Sequence, residues 1–87
     1  MSTVADLISQ GLIKVGDEIV FTRRSLKTQH RARIQPGGTI QTEDGAIHKS
    51  PSGAARHFTN KPIDGWNAWK IGATQVTLAD LRAQLRD

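Results

Sequence analysis

Arg31 and Arg33 stand two residues apart in Thr28-Gln29-His30-Arg31-Ala32-Arg33-Ile34, a segment in which small or apolar positions alternate with polar ones. On a strand this spacing puts both guanidinium groups on one face, where they can follow the phosphates of a nucleic acid, and Arg23 at the end of the preceding strand could join them. The same face also reads as the solvent side of a half-exposed sheet, where cations discourage edge pairing. A second candidate is the helix start at Ser50-Pro51-Ser52. Its hydroxyls and free amides sit at the positive end of a helix dipole, with Lys49 and Arg56 close by in sequence, an arrangement suited to a phosphate. Plain capping by Ser50 explains the same residues and does not exclude that contact. The third candidate is Trp66 with Asn67, an indole that can stack on a base or cover its methyl group beside an amide that can read one.

Catalytic patterns are absent. The eight glycines lie in turns or singly, without Walker or dinucleotide spacing, and there is no cysteine nucleophile or Gly-x-Ser-x-Gly elbow. His30, His48 and His57 lack the four-residue helical spacing of a zinc pair, so no metal, no cofactor and no enzymatic activity are expected. Each reads as a surface histidine, with His48 and His57 able to donate to phosphate when protonated. Glu43 and Asp44 are accounted for by a hairpin turn.

The elements that must position these residues follow from caps and periodicity. Thr3 followed by Asp6 opens a helix over Thr3 to Gln10, with Leu7, Ile8 and Leu12 on one side. Strands are predicted over Glu18 to Arg23 and Thr28 to Gln35, the second with Thr28, His30, Ala32 and Ile34 on one face and Gln29, Arg31 and Arg33 on the other. Pro36-Gly37-Gly38 and Glu43-Asp44-Gly45 turn the chain into short strands at Thr39 to Thr42 and Ala46 to His48. The Ser50 helix runs to Thr59 with Ala54, Ala55 and Phe58 inward and Asn60 as its C-cap. Trp66 to Ile71 reads as a final strand, on which Trp69, in phase with Ile71, belongs to the core and Trp66 is partly exposed. Thr77 and Asp80 repeat the opening cap before a helix with Leu78, Leu81 and Leu85 inward. The expected architecture is α+β, a small antiparallel sheet of four to five strands packed by three short helices, as a single domain over residues 1–87.

At 87 residues and 37% hydrophobic content the chain is long enough for one modest core and, without cysteine, has no disulfide to reinforce it. No apolar run reaches the roughly 18 residues of a membrane span, and the N-terminus lacks signal-peptide layout, so no membrane partner and a cytoplasmic or nucleoid-associated location are expected. The net charge of +4 is unevenly distributed: positions 23 to 61 hold eight cations against Glu43 and Asp44, while the ends together are acidic. Segregated positive charge favours a polyanionic partner, and a solvated surface that keeps a small protein soluble accounts for it equally well.

Gly45-Ala46-Ile47-His48-Lys49-Ser50-Pro51-Ser52-Gly53-Ala54-Ala55-Arg56-His57-Phe58, together with Asp64-Gly65-Trp66-Asn67-Ala68-Trp69-Lys70-Ile71, resembles the RAMA domain, the restriction enzyme and adenine methylase associated domain. The opening Leu7 to Ile19 and the Leu81-Arg82 helix are similar to the same module at the C-terminus of cell-cycle-type adenine methyltransferases, so the resemblance spans nearly the whole chain. It implies a non-catalytic DNA-reading module, associated with methyltransferases or restriction components and with the recognition of modified, methylated DNA. The family pattern carries over at Ser50, Ala54, Ala55, Gly65, Trp66 and Trp69. Where the family commonly has Asn before Gly-Trp, this chain has Asp64, a carboxylate that cannot donate a hydrogen bond.

The sequence therefore predicts binding of duplex DNA, with Arg23, Arg31, Arg33, Lys49 and Arg56 on phosphates, Ser50 and Ser52 fixing register, and Trp66 with Asn67 at a base. The alternative is a protein interaction adaptor anchored by Trp66 without direct DNA contact.

Overall fold

The computed structural model describes residues 3–23, 27–59 and 63–85. Helix α1 (Val4–Ser9) is closed at its start by a reciprocal pair in which the Thr3 hydroxyl accepts from the Asp6 amide at 3.3 Å and the Asp6 carboxylate accepts from the Thr3 amide at 2.8 Å. This removes amides that would otherwise lack partners in the first turn, the cost that makes short helices marginal. Four strands follow: β1 (Glu18–Arg23), β2 (Thr28–Ile34), β3 (Ile40–Thr42) and β4 (Ile47–His48). After α2 (Pro51–Thr59), a one-turn helix α3 (Gly65–Ala68) leads into β5 (Trp69–Ile71), and α4 (Leu78–Arg82) starts from a Thr77 hydroxyl that accepts from the Asp80 amide at 3.1 Å. The antiparallel sheet has the order β4-β3-β2-β1-β5, a meander to which the last strand returns at the far edge.

Register divides the sheet into two unlike faces. Ile19, Phe21, Ala32, Ile34, Ile40 and Trp69 share one core cluster with Val4 and Leu7 of α1, Ala54 and Ala55 of α2, and Leu78 and Leu81 of α4. Helices α1, α2 and α4 thus cover one face. On the opposite face Val20 stands between Arg31 and Lys70 in the ladder and is buried, yet it lies outside that cluster. The alternation in β2 behaves as expected: Ala32 and Ile34 are buried, and Arg31 and Arg33 are exposed.

Close approach decides one turn. Gly38 has φ 89°, and a Cβ built there would lie 2.6 Å from the Ala5 nitrogen, so the Pro36–Gly38 turn seats against α1 only with glycine.

The predicted strand over Trp66 to Ile71 is corrected by the structure, which forms strand only from Trp69. Asp64 caps a helical turn first: its carboxylate accepts from the Trp66 amide at 3.1 Å, and its carbonyl accepts from the Asn67 and Ala68 amides at 3.2 and 3.1 Å. The capping propensity of Asp outweighs the aromatic content of the segment, and the turn adds a fourth short helix, among the described residues, to the expected α+β arrangement. The expected C-cap at Asn60 lies outside the described residues. Among the described residues, no helix is long and apolar enough to cross a membrane.

Candidate nucleic-acid interface

The helix-free sheet face is built by alternation. Glu18, Val20 and Thr22 of β1 stand opposite Arg33, Arg31 and Gln29 of β2, Gln41 of β3 pairs with Arg33 on one side and Ile47 of β4 on the other, and Lys70 pairs with Val20. Its cations are weakly engaged. The exposed Arg31 lies 3.9 Å from the partly exposed Glu18, and Arg33 donates to the Gly16 carbonyl at 3.2 Å. An exposed pair at that distance is worth little, so a phosphate can replace the carboxylate at small cost. A shallow groove of about 420 Å³ runs between Arg31, Arg33 and Gln41 toward Glu43 and Gly45. Arg23 is out of phase with this row, since the register pairs it with Thr28, whereas Thr22 faces Gln29.

The second group of predicted residues belongs to the helical layer, on the other side of the sheet. Ser50 accepts from the Gly53 amide at 3.1 Å, and Ser52 accepts from the Gly65 amide at 3.0 Å. Trp69, fully buried, donates its indole N–H to the Pro51 carbonyl at 3.0 Å. A Cβ on Gly65 would lie 2.1 Å from the Pro51 carbonyl carbon. Ser-Pro-Ser and Gly-Trp-Asn-Ala-Trp are therefore two halves of one packing joint, in which α3 docks against the first turn of α2. Trp66 is half-buried at the core rim, with the Arg82 guanidinium 4.5 Å from its ring centroid, a cation–π contact. Asn67 is exposed, and its amide donates to the Asp64 carboxylate. Asp64 thus has a structural use that needs only an acceptor. Lys49 and Arg56 are exposed, Lys49 between β4 and α2 and Arg56 on α2. The structure brings Arg31 and Arg33 together, and separates them from Ser50, Ser52, Trp66 and Asn67.

Sequence reasoning missed the histidine cluster, because its members come from three elements. Asp44 accepts from the Thr42 hydroxyl, from the Ala46 amide at 3.2 Å and from His57 Nε2, and these contacts, Thr42 foremost, hold its carboxyl well below the usual carboxylate range. His48 lies 4.8 Å from His57, ring centroid to centroid, and its Nε2 is buried without a partner. Burial first, and the neighbouring His57 second, push His48 below the ordinary histidine value, against a smaller opposing pull from Asp44. His30 stacks on Phe58 at 3.8 Å and meets Glu43 at 3.3 Å. The expectation that His48 and His57 donate to phosphate is thereby corrected: one is tied to Asp44 and the other buries its Nε2. Among the described residues, no group of three or more His, Asp or Glu side chains is placed to hold a metal ion.

This cluster predicts how stability depends on pH. Unfolded His48 takes up a proton near its ordinary value of 6.5 while the folded chain resists it, so stability is complete above that pH and declines as pH falls below it. Asp44, whose folded form favours the carboxylate, adds a second loss below its ordinary value of 3.8. Urea midpoints measured at pH 7.5 and 5.5 should fall for the wild type, and His48→Gln should shrink that difference. An undiminished difference in His48→Gln would remove His48 as its source.

A family model described as RAMA, Restriction Enzyme Adenine Methylase Associated, matches residues 2–87. No curated protein matches the chain.

Proposed function

We propose that this chain, which belongs to the RAMA family of restriction-enzyme and adenine-methylase-associated domains, is a non-catalytic module that binds duplex DNA through the helix-free face of its sheet. The observation that carries the proposal is that face itself: Arg31 and Arg33 of β2 and Lys70 of β5 flank β1, with Gln29 and Gln41 beside them, and no helix among the described residues covers them. A sheet covered on one side normally presents mixed charge to water. Here the chain between Glu18 and Glu43 contains five cations and no carboxylate. Such a surface neutralises phosphates and releases their counterions, which supplies sequence-independent affinity.

The family's association with methylases and restriction enzymes supports a restriction-modification context for such a module, and a methyltransferase or a restriction component is the partner that reading suggests. In that setting the finer part of the proposal is a preference for modified, methylated DNA. Trp66 and Asn67 are poor instruments for it, since Arg82 covers the indole and Asp64 engages the amide. Fluorescence-anisotropy titrations of matched duplexes, unmodified, with N6-methyladenine and with 5-methylcytosine, at several salt concentrations, test both parts. Affinity falling linearly in log salt supports the DNA-binding module, and one modified duplex binding tighter supports the reader. Equal affinities remove the reader, and no binding at low salt removes the module.

A further inference from the structure

Resting on the DNA-binding reading above, we propose that Ile47 and Gln41, cross-strand neighbours on β4 and β3, read a base methyl that lies beside a hydrogen-bond acceptor in the major groove. Ile47 is 56% exposed, and among the described residues Val15 is the one other large aliphatic side chain left so open. Register places Ile47 on the helix-free face: it pairs with Gln41, which pairs in turn with the exposed Arg33, while the adjacent Ile40 of β3 is buried in the core. One level of the sheet therefore runs from an apolar side chain through an amide to a guanidinium. It ends at Glu18, whose carboxylate lies 3.9 Å from Arg31.

The amide has a set polarity. Gln35 Nε2 donates to Gln41 Oε1 at 2.8 Å, so the acceptor of Gln41 is engaged and its Nε2 is the group left to a ligand. Directly opposed residues stand about 5 Å apart at Cβ, close enough for Ile47 and Gln41 to meet neighbouring groups on one base edge. A methyl under Ile47 and an acceptor under Gln41 is the pattern of thymine, whose methyl lies beside O4, and equally of N6-methyladenine, whose methyl lies beside N7. 5-Methylcytosine does not fit, because its methyl lies beside an amino donor that would face the donor of Gln41.

The surrounding charges agree with this placement. Arg33 stands two strands from Ile47, about 10 Å away, so with β3 and β4 inside a groove about 12 Å wide Arg33 and Arg31 reach the bordering phosphates. The two carboxylates of the turn that joins β3 to β4 are held on the side where α2 packs. Glu43 meets His30, which stacks on Phe58, at 3.3 Å, and Asp44 is bound by His57. They are thereby drawn away from the arginines, and the groove of about 420 Å³ beside Gln41 stays open to a polyanion.

The full chain is titrated with matched duplexes of mixed sequence: unmodified, with uracil for every thymine, with N6-methyladenine for every adenine, and with 5-methylcytosine for every cytosine. Binding should weaken by about fourfold with uracil where thymine supplies the methyl, and strengthen by about fourfold with N6-methyladenine where adenine does, the contribution of one buried methyl. The 5-methylcytosine duplex should gain nothing. Ile47→Ala, at an exposed position, should keep the wild-type urea midpoint and salt slope and lose the dependence on the methyl. A methyl effect that persists in Ile47→Ala, a gain with 5-methylcytosine, or salt-dependent binding indifferent to both uracil and N6-methyladenine overturns the assignment and leaves the DNA-binding module standing. Absence of binding to any duplex at low salt overturns both.

Discussion

Gly65→Ala should cost the domain a large share of its stability. The added Cβ would sit 2.1 Å from the Pro51 carbonyl carbon and 2.2 Å from its oxygen, backbone atoms that no rotamer change can move aside. To admit it α3 must leave α2, which breaks the Ser52 to Gly65 hydrogen bond and the one from the Trp69 indole to Pro51, and opens the burial of Trp69. Losses of this kind cost about 3 to 5 kcal/mol, against a total of about 4 to 13 kcal/mol for a chain of this size. Gly72→Ala is the control: its Cβ meets nothing closer than the Glu18 carbonyl oxygen at 3.5 Å, an ordinary contact, and its cost should stay within about 1 kcal/mol. Urea denaturation of both variants measures the contrast. A Gly65→Ala protein as stable as Gly72→Ala would show that the joint between α2 and α3 is not rigid.

Arg31→Ala with Arg33→Ala should weaken DNA binding by about 60-fold at 0.1 M salt and reduce the log–log salt slope by about two. Each phosphate contact contributes about 0.9 to that slope, equivalent to roughly eightfold in affinity between 1 M and 0.1 M salt. The fold should survive, because both side chains are exposed and the pair of Arg31 with Glu18 at 3.9 Å contributes little. A matched double variant in the helical layer, Lys49→Ala with Arg56→Ala, distinguishes the two faces. If it lowers the slope and the sheet variant does not, DNA lies on the helices and the assignment of the face is reversed.

Much of this architecture is legible before any coordinates are known. Thr3 with Asp6, Thr77 with Asp80 and Ser50 before Pro51 announce their helices, and the alternation through Thr28 to Ile34 divides β2 into a buried and an exposed side. The misread element is α3, where Asp64 caps a turn over Gly65–Ala68 and the strand starts at Trp69, three residues later than the aromatic residues suggested. Resemblance to the family rests on the same stretches, and the structure assigns most of them to packing: Gly65 and Trp69 hold α2, and Ala54 and Ala55 let it lie close to the sheet.

Caps, turns and strand faces are set by residues within about four positions of one another, so their physics is written in contiguous sequence. The contacts that assemble the helical layer, and so leave the opposite sheet face to the candidate site, are not local. Ser52 meets Gly65 and His57 meets Asp44 across 13 positions, and Trp69 reaches Pro51 across 18. Their partners are selected when the chain folds onto one core, because burying Trp69 and the inner face of the sheet requires the helices to gather on that side. That choice separates Trp66 and Ser52 from Arg31 and Arg33, gathers three histidines that no spacing connects, and leaves one sheet face to the cations. Composition announces the positive charge, and close packing determines which of its carriers stand together.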